Sequence, residues 1–166
     1  AQGLTRIIDM FVDSTRRSHR CGFDMIEVHV AHGYLLHQFL SPMSNKRTDK
    51  YGGSIENNMR FPLEVIAAMR EAFPQDKPMG VRTTGRDFND GGLELDHAVV
   101  FARALKKLGI DYIVPSAGNV APGMKLPKIE PGYMVHFAER IKKDAGIATM
   151  AVGLIVKPEQ ANAIIE

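Results

Sequence analysis

Phe23-Asp24-Met25-Ile26-Glu27-Val28-His29-Val30-Ala31-His32-Gly33-Tyr34 is a strand-like run that ends by releasing three polar rings. Residues 24–28 read as a β-strand, and His29, His32 and Tyr34 are delivered just where it stops. Neutral imidazoles donate N–H, and a phenol keeps its proton near neutral pH. Grouped at a strand end, they form a hydrogen-bonding cluster suited to an anionic or carbonyl oxygen. The alternative is a pair of satisfied buried histidines beside a packing tyrosine. Residues 28–34 taken alone leave both readings open.

Upstream of this stretch, Leu4, Ile7, Ile8, Phe11 and Val12 recur at helical spacing, and Gly22 is placed to end that helix. Cys21 beside it reads as a buried helix-end residue. Downstream, 31–53 form a long connection with a short helical turn at 34–40, stopped by Ser41-Pro42. Ser54 is placed to cap a helix over 55–73, whose apolar positions include Leu63, Ile66, Met69 and Phe73. Pro62 inside it predicts a kink or a late start. Residues 78–84 read as a second strand and 85–92 as a polar loop. Leu95, Ala98, Val99, Ala102, Leu105 and Leu108 build the next helix, closed by Gly109. A third strand over 110–115 leads into a Gly- and Pro-containing loop, 116–130, without periodicity. Met134, Phe137, Ala138, Ile141 and Ala145 mark another helix, ended by Gly146. A fourth strand over 148–152 stops at Gly153, and Pro158 opens the last helix in the favoured first-turn position.

The order is a helix, then strand and helix four times. Strands that alternate with helices and lack polar alternation belong to a parallel α/β sheet covered on both faces. No dinucleotide glycine fingerprint follows any strand, which argues against a Rossmann fold. The expected fold is therefore a TIM (β/α)8 barrel, with about four consecutive strand–helix units in these 166 residues. A whole barrel needs about 250 residues. The chain starts at Ala1 without an initiator Met and stops at Ile164-Ile165-Glu166 inside an apparent helix. The expectation is one partial barrel domain over 1–166, cut at both ends from a longer protein.

Composition narrows the function classes. A net charge of +2, with no basic run interleaved with aromatics, gives no case for nucleic acid. No apolar stretch approaches the ~20 residues of a membrane span, and no signal peptide opens the chain. The single Cys21 cannot form an internal disulfide and is compatible with a reducing cytoplasm.

Active sites of such barrels lie at the C-terminal ends of the strands. Those ends carry His29 and His32, then Arg82-Thr83-Thr84, then Ser116, then Gly153. Arg82 is the second anchor, because an unpaired charge in a barrel interior is costly. It either pairs with Glu27 or Asp24 on the neighbouring strand or offsets negative charge on a bound ligand. At ~4 Å and an effective dielectric near 20, the latter attraction is on the order of 4 kcal/mol before desolvation. Gly153 either lets backbone N–H groups approach a phosphate or makes a plain turn. His19, His97 and His136 fall on helices and are expected to face solvent, while His37 reads as a loop residue near the cluster.

The run from His29 through Tyr34-Leu-Leu-His-Gln-Phe-Leu-Ser-Pro and on through Asn45-Lys-Arg47-Thr-Asp49-Lys-Tyr51-Gly52-Gly53-Ser54 and Glu56-Asn57 resembles the old yellow enzyme family of flavin-dependent ene-reductases. The His-x-x-His-x-Tyr form is similar to its xenobiotic-reductase or thermophilic-like subclass. Gly80-Val-Arg82, Ser116-Ala-Gly118 and Ala151-Val-Gly153 also fall where that family's strands end. Asn58 departs from the pattern, which usually has Arg there. The resemblance implies an FMN enzyme of the cytoplasm, expected to be a homo-oligomer. In it NAD(P)H reduces the flavin, and hydride passes to the β-carbon of an activated alkene. His29 and His32 would hold the substrate's carbonyl or nitro oxygen, and Tyr34 would protonate the α-carbon. Arg82 would sit by the flavin pyrimidine edge, with Ser116 and Gly153 also binding the cofactor and Gly153 lying on its phosphate.

Two other classes compete. A metal-dependent hydrolase on the same barrel would use His29 and His32, with Glu27 and His37. Two His on one strand face need an i, i+2 spacing, however, and these are i, i+3. A catalytically inactive half-barrel that self-associates through its open sheet edges is the other.

Overall fold

Val28 and Val30 are buried while Glu27 and His29 beside them are not, so the first strand has a dry face and a polar face. In the computed structural model, which describes residues 2–166, this strand is β1 (Ile26–Val30), preceded by helix α1 (Gln2–Arg20). There follow α2 (Leu35–Leu40), α3 (Ile55–Ala72), β2 (Met79–Arg86), α4 (Leu95–Lys107), β3 (Tyr112–Ala117), α5 (Val135–Ala145), β4 (Ala148–Thr149) and α6 (Pro158–Ile165). The strands form one parallel sheet in the order β1-β2-β3-β4. Sequential parallel strands joined through helices make this an arc of a (β/α)8 barrel, four units long.

One face of the sheet is the core. Val28 stands opposite Val81, and Val81 opposite Ile113. This row packs with Phe61, Val65 and Ile66 of α3, Phe101 and Leu105 of α4, and Ile141 of α5. Each such side chain contributes roughly 1.5–3 kcal/mol by leaving water. On the other face, His29 stands opposite Arg82, and Arg82 opposite Val114. Thr84 stands opposite Ser116. Strand parity thus sends His29, Arg82, Thr84 and Ser116 to one side, the inside of the barrel arc, while Thr83 between Arg82 and Thr84 takes the other.

Several local expectations are corrected. β1 lies two residues later than the predicted 24–28, because Val28 and Val30 are the side chains that reach the core while Asp24 is exposed. β4 is shorter than 148–152. Beyond Thr149, only the Met150 N–H still reaches β3, at the Ile113 carbonyl (2.9 Å). The chain then diverges so that the Gly153 carbonyl accepts from Gly132 N–H at 2.7 Å. Cys21 is exposed in the turn after α1, not buried. Helix α3 does not start late: it begins at Ile55, where Ser54 Oγ accepts the Asn57 N–H (3.3 Å), and it contains Pro62.

Candidate active site

After β1 the chain reverses through two consecutive left-handed residues, His32 (φ +57°) and Gly33 (φ +77°). For a residue with a Cβ this conformation costs roughly 1–2 kcal/mol, so neighbouring contacts must hold His32 in it. Its Nε2 lies 2.7 Å from Ser116 Oγ at the end of β3. At position 33 only glycine fits, since a Cβ there would overlap the Asn119 carbonyl oxygen. The Gly33 N–H donates to His37 Nδ1 (2.9 Å).

The three predicted rings come together. The His29 ring centroid is 5.0 Å from that of His32 and 5.2 Å from that of Tyr34. Tyr34 is exposed, and both imidazoles are partly buried. Burial, and then repulsion from the Arg82 guanidinium, lowers the pKa of His29. The same causes, with His29 added, bring His32 down to about 4. Both rings are therefore neutral at neutral pH, each with one N–H to donate.

Arg82 has no ion-pair partner among the described residues, and its buried Nε has no hydrogen-bond acceptor there. Of the two expected partners, Asp24 lies 3.5 Å from Lys77 Nζ. Glu27 feels Arg82 only at longer range: burial raises its pKa, and Arg82 opposes the rise. The buried Thr84 Oγ1 on the same face also lacks a partner. A buried donor of this kind without an acceptor costs about 1–3 kcal/mol or more, which a bound anionic or carbonyl group would offset. A flavin ring, with oxygens on its pyrimidine edge, fits that requirement.

Gly153 follows β4 and lies against the start of α5. Its φ is +116°, and a Cβ there would stand 3.0 Å from Met134 N and 3.1 Å from Met134 Cβ.

One pair escaped the sequence reading. His37 is on α2, not in a loop, and is fully buried. Gly33 N–H occupies its Nδ1, so its proton sits on Nε2, which donates to Asp87 Oδ1 (2.9 Å). Asp87, equally buried, also accepts from Ser41 Oγ (2.6 Å) and Leu93 N–H (2.7 Å). The clue available beforehand was an Asp directly after the second strand, but its partner lies 50 residues away. With His37 so engaged, the hydrolase reading loses a ligand. Among the described residues, no three His, Cys, Asp or Glu side chains are grouped to hold a metal ion. No helix of the described residues is long and apolar enough to cross a membrane.

The family model described as NADH:flavin oxidoreductase / NADH oxidase matches residues 1–166. An NADPH dehydrogenase of Geobacillus sp. (strain WCH70) is 47% identical over 162 residues, covering 98% of this chain and 46% of that protein. An NADPH dehydrogenase of Bacillus velezensis (strain DSM 23117 / BGSC 10A6 / LMG 26770 / FZB42) is 45% identical over 163 residues, 98% of this chain and 47% of that one. The chain thus spans just under half the length of these curated relatives. Among solved structures, morphinone reductase in complex with tetrahydroNAD is similar at a TM-score of 0.77 and 30% identity, covering 99% of this chain and 42% of that one.

Proposed function

The chain belongs to the NADH:flavin oxidoreductase / NADH oxidase family, and from that premise we propose that the protein is an FMN-dependent, NAD(P)H-oxidising ene-reductase. Its substrates are small α,β-unsaturated carbonyl or nitro compounds. Bound FMN supplies hydride transfer, from NAD(P)H to the β-carbon of the activated alkene. His29 and His32 donate N–H to the substrate oxygen. Donors aimed at charge developing there are typically worth roughly 3 kcal/mol each. Tyr34 gives a proton to the α-carbon as general acid. Arg82 offsets negative charge at the flavin's pyrimidine edge, and Ser116 and Gly153 help hold the cofactor. Residues 1–166 act as one FMN-binding partial barrel, in a cytoplasmic homo-oligomer.

The observation that carries this reading is the pair of neutral imidazoles beside a phenol, facing an arginine that has no protein counter-charge. The full-length protein tests it. It should purify with FMN, oxidise NADPH and reduce 2-cyclohexenone to cyclohexanone. If bound FMN is reduced but no enone is consumed, the ene-reductase assignment falls and the flavin assignment survives. Zinc in place of flavin would overturn both.

A further inference from the structure

We propose that His37, seated on Asp87, is a positioning residue. It holds the turn that carries His29, His32 and Tyr34 through its hydrogen bond to the Gly33 N–H. The inference rests on the ene-reductase reading for its functional consequence, but its geometry stands apart from that reading. Gly33 sits between His32 and Tyr34, and its amide is held by His37 Nδ1 at 2.9 Å. His37 Nε2 is anchored 2.9 Å from Asp87 Oδ1, and Asp87 is fixed by Ser41 after α2 and by Leu93 before α4. The turn is therefore tied to two separate parts of the framework through one imidazole.

Neither His37 nor Asp87 is solvent-exposed at all. An apolar side chain would fill the same volume without the cost of burying polar groups. Packing alone does not call for this pair, so its role lies in the nitrogen it presents to Gly33. That contact lets a left-handed His32 keep its ring between His29 and Ser116.

Two substitutions in the full-length protein split the two nitrogens. In His37→Asn the side-chain carbonyl falls where Nδ1 was, so the Gly33 contact is kept and the Asp87 contact is lost. In His37→Gln the amide nitrogen falls where Nε2 was, so the Asp87 contact is kept and the Gly33 acceptor is lost. The probe is 4-hydroxybenzaldehyde, whose phenolate should give a charge-transfer band with the oxidised flavin. His37→Gln should bind it about tenfold more weakly, the effect of one lost hydrogen bond, with FMN content and reduction by NADPH retained. His37→Asn should stay within about threefold of the parent, whichever variant melts higher. Equal affinities, the reverse order, or affinities that follow the melting temperatures would overturn the proposal. If a variant fails to fold, the imidazole 15N shifts of the parent decide: Nδ1 should be bare and Nε2 protonated at neutral pH, and a proton on Nδ1 overturns it. If the parent shows no phenol band, the ene-reductase reading fails by itself. The Gly33 amide then decides the positioning claim: it should exchange slowly in the parent and in His37→Asn, and fast in His37→Gln. Equal exchange in all three overturns it.

Discussion

His29 on β1 and Arg82 on β2 are direct partners in the parallel register, so a neutral imidazole and an unpaired guanidinium stand side by side on the inner face of the sheet. The contact is not an attraction. Arg82 disfavours protonation of His29 and His32, and neutral imidazoles bring no negative charge to the guanidinium, whose buried Nε has no acceptor among the described residues. Both needs are met by ligand oxygens, which accept from imidazole N–H and, where they carry negative charge, supply the counter-charge that Arg82 lacks.

Replacing Arg82 tests its half of that relationship. Arg82→Met in the full-length protein should lower the flavin reduction potential and slow reduction by NAD(P)H. It should leave the fold intact, since no ion pair among the described residues is lost. Potentiometry and stopped-flow reduction check the first part, and thermal melting the second. A variant that unfolds with unchanged potential would make Arg82 a structural residue.

The imidazole pair should be read with a phenol, which offers an oxygen but no alkene. His29→Ala and His32→Ala should each weaken phenol binding to the oxidised enzyme by about 1.5–3 kcal/mol if each donates to a charged oxygen. Tyr34→Phe should keep phenol affinity and flavin reduction while slowing enone turnover. Phenol affinity that survives loss of both histidines, or full enone turnover in Tyr34→Phe, would remove these residues from the roles given them.

His32 also predicts how stability changes with pH. With its pKa lowered from 6.5 to about 4, the folded protein binds fewer protons than the unfolded chain between those values. Stability from this group is then complete above 6.5 and is lost as pH falls toward 4. His29 shifts in the same direction. Denaturant titrations at pH values across that window should show falling stability with acid, and a shallower fall in His32→Gln. An unchanged slope would mean that His32 is not held neutral by the fold.

Gly33→Ala tests the turn itself. A left-handed alanine costs roughly 1–2 kcal/mol, and its Cβ would overlap the Asn119 carbonyl oxygen. Phenol binding should fall further than global stability does, because the strain falls on a surface turn while the core on the other face is untouched. A melting temperature that drops sharply with phenol affinity intact would place the burden elsewhere.

What local pattern determines here is considerable. Helices and strands follow from apolar periodicity, because the 3.6-residue and 2-residue repeats must each put a dry face on the core. The barrel class follows from strand–helix alternation, and strand ends then name His29, His32, Tyr34, Arg82 and Ser116 as residues that could meet. Tertiary structure alone decided which of the possible polar pairings form. Arg82 and Glu27 are one strand apart and opposite in charge, yet no bridge forms, because parallel register puts His29 and not Glu27 beside the guanidinium. His37 and Asp87 carry no sign of each other in the chain, since a hydrogen bond across 50 residues depends on where α2 and the loop after β2 are packed. Strand ends are legible because they rest on local repeats. Buried polar pairings are not, because they are set by the distance between elements that only folding brings together.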